Sequence, residues 1–168
     1  MPVMSMAVED WSRERPSRFW DPGCRLLRTI RRYQYWMTRG RIGRLMSRWF
    51  VIEHRFWSAV TSSDIPLNSR IGGGLLLVHP YGIVIHPSAE IGPNCLIFQH
   101  VTIGGGGRIP GTPILAAGVD VGAGAVILGG VRIGERARIG ANAVVLCDVP
   151  AGAAAVGVPA RIIPAATA

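Results

Sequence analysis

Aliphatic residues recur at every sixth position through the second half of the chain. The series contains no polar residue and comprises Ile85, Ile91, Ile97, Ile103, Ile109, Leu115, Val121, Ile127, Ile133, Ile139 and Val145. Neither an α-helix nor an alternating β-strand has a period of six. The position four residues after each aliphatic holds a small or compact residue. The pattern is therefore a hexapeptide repeat, and it predicts stacked short strands.

The repeat predicts a mainly β fold, a left-handed parallel β-helix of triangular cross-section. In each strand one aliphatic points inward, the small residue lets the next corner fold in, and glycine supplies positive φ where the backbone needs it. The same register runs from Ile65 to Ile83 and then slips by two residues to reach Ile85. We therefore expect a locally broken coil beside His79.

The first 60 residues lack this period and predict an N-terminal helical segment, with the β-helix domain and a short C-terminal tail over 61–168. Asp21 is suited to an N-cap, Pro22 to a first helical position and Gly40 to a stop. The expected helices span about 22–38 and 42–60, after a loose tail. The second helix carries an apolar stripe, made of Ile42, Leu45, Met46, Trp49, Phe50, Phe56 and Val60.

Charge and tryptophan concentrate in this segment. It holds 12 of the 18 basic residues, all arginine, against five acids, and all five tryptophans. Its apolar faces are expected to pack on the solenoid or on another subunit. The alternative is a peripheral contact with an anionic membrane, which arginine-rich helices with tryptophan favour. The charge would also suit nucleic acid, but no recognised motif accompanies it, so none is expected.

The cysteines and the hydropathy suggest a cellular setting. Three cysteines, an odd number, and the absence of an apolar run before the first charges favour a reduced, cytoplasmic protein without a signal peptide. If the helices bind lipid, the protein would lie at the inner face of the membrane. No apolar stretch approaches the roughly 20 residues of a membrane-spanning helix.

Four stretches carry a resemblance to a known family. They are "SSDIPLNSRIGGGLLLVHPYGIVI", "VTIGGGG", "VGAGAVILGGVRIGERARIGANAVV" and "VGVPARII". Together they resemble bacterial serine acetyltransferases, and more closely the serine-acetyltransferase-like enzymes that O-acetylate capsular and exopolysaccharide sugars. The resemblance covers residues 61–163 well and the helices only loosely. It implies a hexapeptide-repeat acyltransferase that uses acetyl-CoA.

The resemblance also assigns a catalytic pair. Acyl transfer to a hydroxyl needs a base, and a neutral imidazole has a suitable pKa of about 6.5. His79 matches the family's base, and Asp64 matches the acid that orients the ring. A packed or surface histidine is the alternative for His79. His86 fits an outer corner, and His100 is a candidate contact to acceptor or cofactor.

Acetyl-CoA, as co-substrate, would lie along the groove between coils. Gly105 allows close approach near the thioester, where a backbone amide would also stabilise the oxyanion. By resemblance, Ala123, Ala141 and Cys147 line the pantetheine arm and Arg161 meets the phosphorylated end. The corner geometry of the β-helix explains the small residues equally well. Neither a metal nor a covalent acyl-enzyme is expected.

The chain departs from true serine acetyltransferases at two places. Those enzymes carry an aspartate directly before the base, where this chain has Val78, and a second histidine after the glycine loop, which "RIPGTPIL" lacks. Both groups bind the amino-acid acceptor in that family. A neutral, polyhydroxylated acceptor fits better, with Tyr81 available for stacking on a sugar and the loop 104–113 as a selecting wall.

We therefore expect an O-acetyltransferase that modifies a sugar hydroxyl of a surface polysaccharide or its precursor. The alternatives are serine O-acetylation for cysteine biosynthesis and a non-enzymatic β-solenoid scaffold. Some left-handed β-helices are zinc carbonic anhydrases, but His79, His86 and His100 occupy different hexad positions and do not converge on one metal. By resemblance, we also expect a homotrimer with acetyl-CoA between adjacent solenoids.

Overall fold

The protein is a parallel β-helix of about four coils preceded by two helices. The computed structural model describes residues 8–16 and 18–165. A 3₁₀-helix, Trp11–Glu14, precedes α1 (Pro22–Met37) and α2 (Gly40–Thr61). The strands are β1 (Arg70–Ile71), β2 (Leu76–Leu77), β3 (Val84–Ile85), β4 (Glu90–Ile91), β5 (Leu96–Ile97), β6 (Thr102–Gly104), β7 (Ile114–Leu115), β8 (Asp120–Val121), β9 (Val126–Leu128), β10 (Arg132–Ile133), β11 (Arg138–Ile139), β12 (Val144–Val145), β13 (Ala154–Val156) and β14 (Arg161–Ile163).

The strands form three parallel sheets, one for each side of the coil. Sheet 1 contains β1, β4, β7 and β10, and sheet 3 contains β3, β6, β9 and β12. Sheet 2 contains β2, β5, β8, β11 and β13, and β14 returns antiparallel at its end. Aliphatics of successive coils lie in direct register, as in the column of Leu77, Ile97, Val121 and Ile139. The predicted parallel β-helix with an N-terminal helical segment is confirmed.

One member of the aliphatic series does not belong to the core. Ile109 is 41% exposed, whereas Ile103 and Leu115 on either side of it are buried. The chain between these two residues is one hexad longer than the coil needs, because Leu115 takes the place in sheet 1 that directly follows Ile91. The extra hexad forms a surface loop. The period of six therefore continues in the sequence through a segment that lies outside the solenoid.

Two of the three corners are built from stacked residues with left-handed backbone. One column consists of Ser62, Gly82, His100, Gly124 and Asn142, and the other of Gly74, Asn94, Gly118, Arg136 and Gly152. Half of these ten positions are not glycine. Asparagine and histidine tolerate this conformation better than most side chains, and a repeated corner can therefore carry functional side chains.

The glycines that directly follow inward aliphatics have a different role from the predicted one. Gly92 and Gly122 do not adopt positive φ. A Cβ on Gly92 would lie 2.6 Å from the carbonyl carbon of Ala116, and one on Gly122 would lie 2.7 Å from the amide nitrogen of Ala141. These glycines permit the close approach of the next coil.

The helices begin and end close to the predicted positions, but α2 buries an unexpected face. The Asp21 carboxylate caps α1 by accepting from the Cys24 N–H at 3.1 Å. The buried residues of α2 are Gly43, Ser47, Phe50, His54, Trp57 and Thr61. Gly43 lies against the carbonyl of Trp36, so small side chains let the two helices pack closely. Most of the predicted apolar stripe is left exposed.

The segment before α1 is bound to the solenoid over its described residues, in contrast to the expected loose tail. The Glu14 carboxylate accepts from Arg31 at 2.8 Å and from the Gly74 N–H at 3.0 Å. The side-chain oxygen of Asn94 accepts from the Asp10 N–H at 2.8 Å. Residues 1–7 of the expected tail lie outside the described residues. No helix in the described part of the chain has the length and apolarity of a membrane span.

Replacing Gly122 by alanine should destabilise the solenoid. The added methyl would meet the backbone of the next coil, and such overpacking costs about 1 to 3 kcal/mol of unfolding free energy. Gly104→Ala is the matched control, because its Cβ would meet only side-chain atoms of Leu128 and Thr102 at 3.7 and 3.9 Å. Thermal unfolding measures both variants. Equal stability of the two would contradict the role assigned to Gly122.

Candidate active site

His79 lies at the tip of a bulge where coil 1 turns from sheet 2 into sheet 3. The path from Leu77 to Ile85 is two residues longer than the equivalent path from Ile97 to Ile103, as the slip in the hexad register predicted. His79 has a φ of 51° and is exposed. The bulge thus carries the imidazole outside the regular wall of the solenoid.

Buried contacts hold this bulge in place. The Ser63 hydroxyl donates to the carbonyl of Pro80 at 3.1 Å, and the Ile83 N–H donates to the same hydroxyl at 3.1 Å. Pro80 also packs against Gly23 in the first turn of α1, where a Cβ would lie 3.1 Å from the proline ring. Sequence analysis missed Ser63, since a lone serine shows no pattern. Helix and solenoid together support His79.

A column of stacked residues continues from the bulge along the corner. Tyr81, Gln99 and Ala123 each accept a backbone hydrogen bond from the coil above, at 2.8 to 2.9 Å, and Ala141 completes the column. We call these four residues, with His79, the His79 corner. Arg161 pairs with Val156 at the last turn of sheet 2, beside the end of this column. The corner therefore joins three of the seven predicted site residues, His79, Ala123 and Ala141, and Arg161 lies beside its end.

The order of these residues along the corner suits an extended co-substrate. Neighbouring strands lie about 4.8 Å apart, and β14, which carries Arg161, is five strands from β2, so the two ends are separated by roughly 24 Å. His79 stands at one end, two alanines lie between, and the Arg161 guanidinium stands at the other. A thioester next to the base and phosphates next to the arginine would require this order.

Gly105 and Cys147 lie on a different corner, at the opposite edge of sheet 3. Gly105 directly follows β6, and Cys147 follows β12 after one intervening residue. Cys147 borders a groove of about 400 Å³ together with Arg108 and the "VPA" of the closing motif, and the lining residues are Arg108, Val144, Leu146, Cys147, Val158, Pro159 and Ala160. A single chain thus does not bring Gly105 and Cys147 to His79.

Asp64 lies at the start of sheet 3, directly beneath coil 1. Its backbone forms a parallel bridge with Val84, and its side chain is exposed. Among the described residues, no hydrogen bond joins the Asp64 carboxylate to the His79 ring. The predicted pair is close in the topology, but the two side chains are not in contact.

The other histidines have distinct surroundings. His100 lies against Gly82, with its ring beside the bulge that carries His79. His86 accepts from the Ser88 N–H at 3.1 Å on an exposed turn, which fits the predicted outer corner. Among the described residues, no group of three potential ligands could hold a metal ion.

Gln99 is a corner residue that sequence analysis did not single out. It stands in the His79 corner between Tyr81 and Ala123, next to His100. Its side-chain oxygen is buried and has no hydrogen-bond partner among the described residues. Unsatisfied buried polar groups are rare in folded proteins and are often found where a ligand or partner completes them.

The buried cysteine is not a nucleophile. Cys95 is fully buried at an inward position, as predicted, and its thiol lies 3.3 Å from the carbonyl oxygen of Ala116. Burial raises the pKa of Cys95 to about 11. The thiol is therefore protonated near neutral pH, whereas only a thiolate attacks readily.

Comparisons with known proteins identify related transferases. Residues 113–147 match the family model described as bacterial transferase hexapeptide (six repeats). A serine acetyltransferase of Synechococcus elongatus is 41% identical over 106 residues, which are 62% of this chain and 43% of that protein.

Two solved structures are informative about ligands. Soybean serine acetyltransferase complexed with serine is 38% identical, with a TM-score of 0.72, and the match covers 84% of this chain and 57% of that one. A serine acetyltransferase in complex with CoA is 34% identical, with a TM-score of 0.71, and the match covers 86% and 57%. This chain thus spans less than two thirds of the relatives that it matches.

Acid should destabilise the region that positions Asp64. His54 Nε2 lies 2.9 Å from the carbonyl oxygen of Ile65, the neighbour of Asp64. Burial lowers the pKa of His54 below its usual 6.5. The unfolded chain therefore binds the proton more readily, and stability present above about pH 6.5 is lost as the pH falls.

As the pH is lowered from 7.5 to 5.5, we expect the thermal midpoint of the native chain to fall by more than that of His54→Gln. Glutamine keeps a donor for the Ile65 carbonyl but does not titrate. The comparison cancels the titration of other groups. The same fall in both proteins would show that His54 does not couple folding to pH.

Proposed function

We propose that this chain, which belongs to the hexapeptide-repeat transferases and is related to serine acetyltransferases, transfers an acetyl group from acetyl-CoA to an alcohol. The observation that carries the proposal is the order of side chains along the His79 corner, from an exposed imidazole to a terminal guanidinium. A relative that binds CoA and shares the fold supports the choice of acyl donor.

The chemistry proceeds by direct transfer. The neutral His79 imidazole takes the proton of the acceptor hydroxyl as its oxygen attacks the thioester carbonyl. The tetrahedral intermediate then expels the thiolate of CoA, which receives the proton back from the imidazolium. Asp64 would stabilise the imidazolium and orient the ring once the substrates are bound. No acyl-enzyme forms, so the chain's thiols are not needed.

The acceptor that the comparisons favour is L-serine. The related proteins are serine acetyltransferases, and one of them is complexed with serine. This supports the serine alternative over the expected polysaccharide acceptor, since each relative named above is a serine acetyltransferase. We therefore place serine first among the acceptors.

A sugar hydroxyl is the second candidate, and Val78 favours it. Val78 precedes the base where an acidic residue would pair with the ammonium of serine, and it is partly exposed next to His79. Tyr81, 46% exposed on the same bulge, presents an aromatic face. Aromatic rings are suited to packing against an uncharged, apolar ligand face. We also propose that three chains assemble into a homotrimer that binds acetyl-CoA between adjacent solenoids. Sedimentation measures the number of chains in the assembly.

Removal of the base should abolish turnover while leaving the fold and CoA binding intact. We expect His79→Ala to lower kcat by about 10²- to 10⁴-fold, the range of general-base catalysis. Asp64→Asn should lower it less, because the aspartate orients a proton acceptor without itself taking the proton. Thiol release from acetyl-CoA measures the rate, and calorimetry measures CoA binding.

His86→Ala is the matched control, an exposed histidine on a neighbouring turn of the same coil. It should retain full activity. Near-normal turnover by His79→Ala would remove His79 from the mechanism, and a larger loss in Asp64→Asn than in His79→Ala would reverse the two roles.

The acceptor can be identified by restoring the missing carboxylate. If serine binds, Val78→Asp should lower the KM for L-serine by roughly ten- to a hundredfold, because a charge-assisted hydrogen bond contributes about 1.5 to 3 kcal/mol. Val78→Asn has the same shape without the charge and serves as the control. The assay compares L-serine with a panel of sugars and nucleotide sugars.

Turnover of serine by the native chain that exceeds turnover of every sugar would establish serine as the acceptor. Preferred turnover of a sugar, with Val78→Asp leaving its KM unimproved, would instead establish the second candidate. If CoA binds but neither serine nor any sugar supports thiol release, both proposed acceptors are wrong.

A further inference from the structure

The exposed side of α2 carries an apolar surface that the fold leaves uncovered. Counted at about 100° per residue, the side chains of α2 fall on three faces. One face is buried against α1 and the solenoid. A second is apolar yet exposed, and its most exposed members are Ile42 at 76%, Leu45 at 67%, Trp49 at 65% and Ile52 at 64%. It extends about 21 Å from Ile42 to Phe56.

Aromatic rings extend this surface at the end of α2. Phe56 and Trp57 lie 5.0 Å apart between ring centroids, and Trp20 lies 5.5 Å from Trp57. Phe19 next to Trp20 is 91% exposed. We call the exposed apolar residues of α2, together with Phe19 and Trp20, the apolar face. Its size and continuity exceed the scattered apolar exposure of ordinary surfaces.

Arginines border the apolar face on both sides. The third face of α2 carries the small Ala59 and four exposed arginines: Arg41, Arg44, Arg48 and Arg55. On the other side, Arg25 of α1 stacks over the Trp57 ring at 5.4 Å and Arg32 lies over the Phe50 ring at 5.8 Å. The apolar face is thus framed by guanidinium groups.

The charge of this region is unbalanced. Residues 22–52 contain eight arginines and no acidic residue. Within the described part of the chain, only Arg31 of these eight forms a salt bridge, with Glu14. The remaining guanidiniums are suited to a partner that carries negative charge, and the side chains between them are suited to an apolar one.

We propose that the apolar face and its arginine borders bind the surface of an anionic lipid bilayer. Tryptophan and phenylalanine enter the boundary between headgroups and acyl chains, and arginines beside them bind anionic headgroups. A second copy of the chain fits less well, because pairing this face with itself would bring two rows of arginines together against a single acid of α2, Glu53, in each copy.

Binding in this orientation would bring the active site close to the membrane. Trp20 lies three residues before Gly23, which packs on Pro80 of the bulge that carries His79. The aromatic end of the apolar face therefore lies next to the His79 corner. The proposal itself rests on the helices alone and does not depend on the proposed acetyl transfer.

The test is co-sedimentation of the full chain with vesicles of two compositions. One kind contains phosphatidylcholine only, and the other contains equal parts of phosphatidylglycerol and phosphatidylcholine. We expect binding to the anionic vesicles that weakens with added salt, and little binding to the neutral ones. The variant R44Q/R48Q/R55Q should lose more than about a hundredfold in affinity, at roughly fivefold per charge.

The matched control is R132Q/R136Q/R138Q, which removes three exposed arginines from the solenoid and should leave binding nearly unchanged. Trp49→Gln tests the apolar part and should weaken binding without altering net charge. Circular dichroism verifies that each variant is folded.

Three results would overturn the proposal. These are no binding of the native chain to anionic vesicles, equal losses in the two arginine variants, or full binding by Trp49→Gln. A reduction in soluble assembly size caused by Trp49→Gln, with no vesicle binding by the native chain, would assign the face to a second copy instead.

Discussion

The close stacking of successive coils is the constraint on which the rest of this structure depends. A coil can lie one strand spacing above the next only if the backbone turns at the same place in every coil and no side chain intrudes between them. The left-handed corner columns satisfy the first requirement, and glycines such as Gly122 satisfy the second. Stacking converts a repeat along the sequence into straight columns in space.

These columns explain how distant residues form one site. His79, Ala123 and Ala141 are separated by up to 62 residues in the sequence, yet they stand along one corner because each coil repeats the same path. The two-residue insertion at His79 is a local departure that the hydrogen bonds of Ser63 make rigid. A regular scaffold with one supported irregularity thus places an exposed imidazole at the end of a straight column of stacked residues.

The sequence was informative where the structure follows a period and uninformative where single contacts decide. The hexads predicted the sheets, and the slip of two residues predicted the bulge. Ile109 fits the period of six but lies in a loop. The period alone cannot show whether a given hexad joins the coil. The apolar stripe of α2 does not pack on the solenoid, because the helix turns a different face, with the closely packed Gly43, toward α1. Ser63 and Gln99 had no sequence pattern at all.

The central claim is that the His79 corner holds the acyl donor, and calorimetric titration with CoA tests it most directly. Ala141→Trp would add a large ring to the surface of this corner, whereas Ala151→Trp adds the same ring at the corresponding position of another corner. We expect Ala141→Trp to lose CoA binding and Ala151→Trp to retain it. Equal affinities in the two folded variants would contradict it.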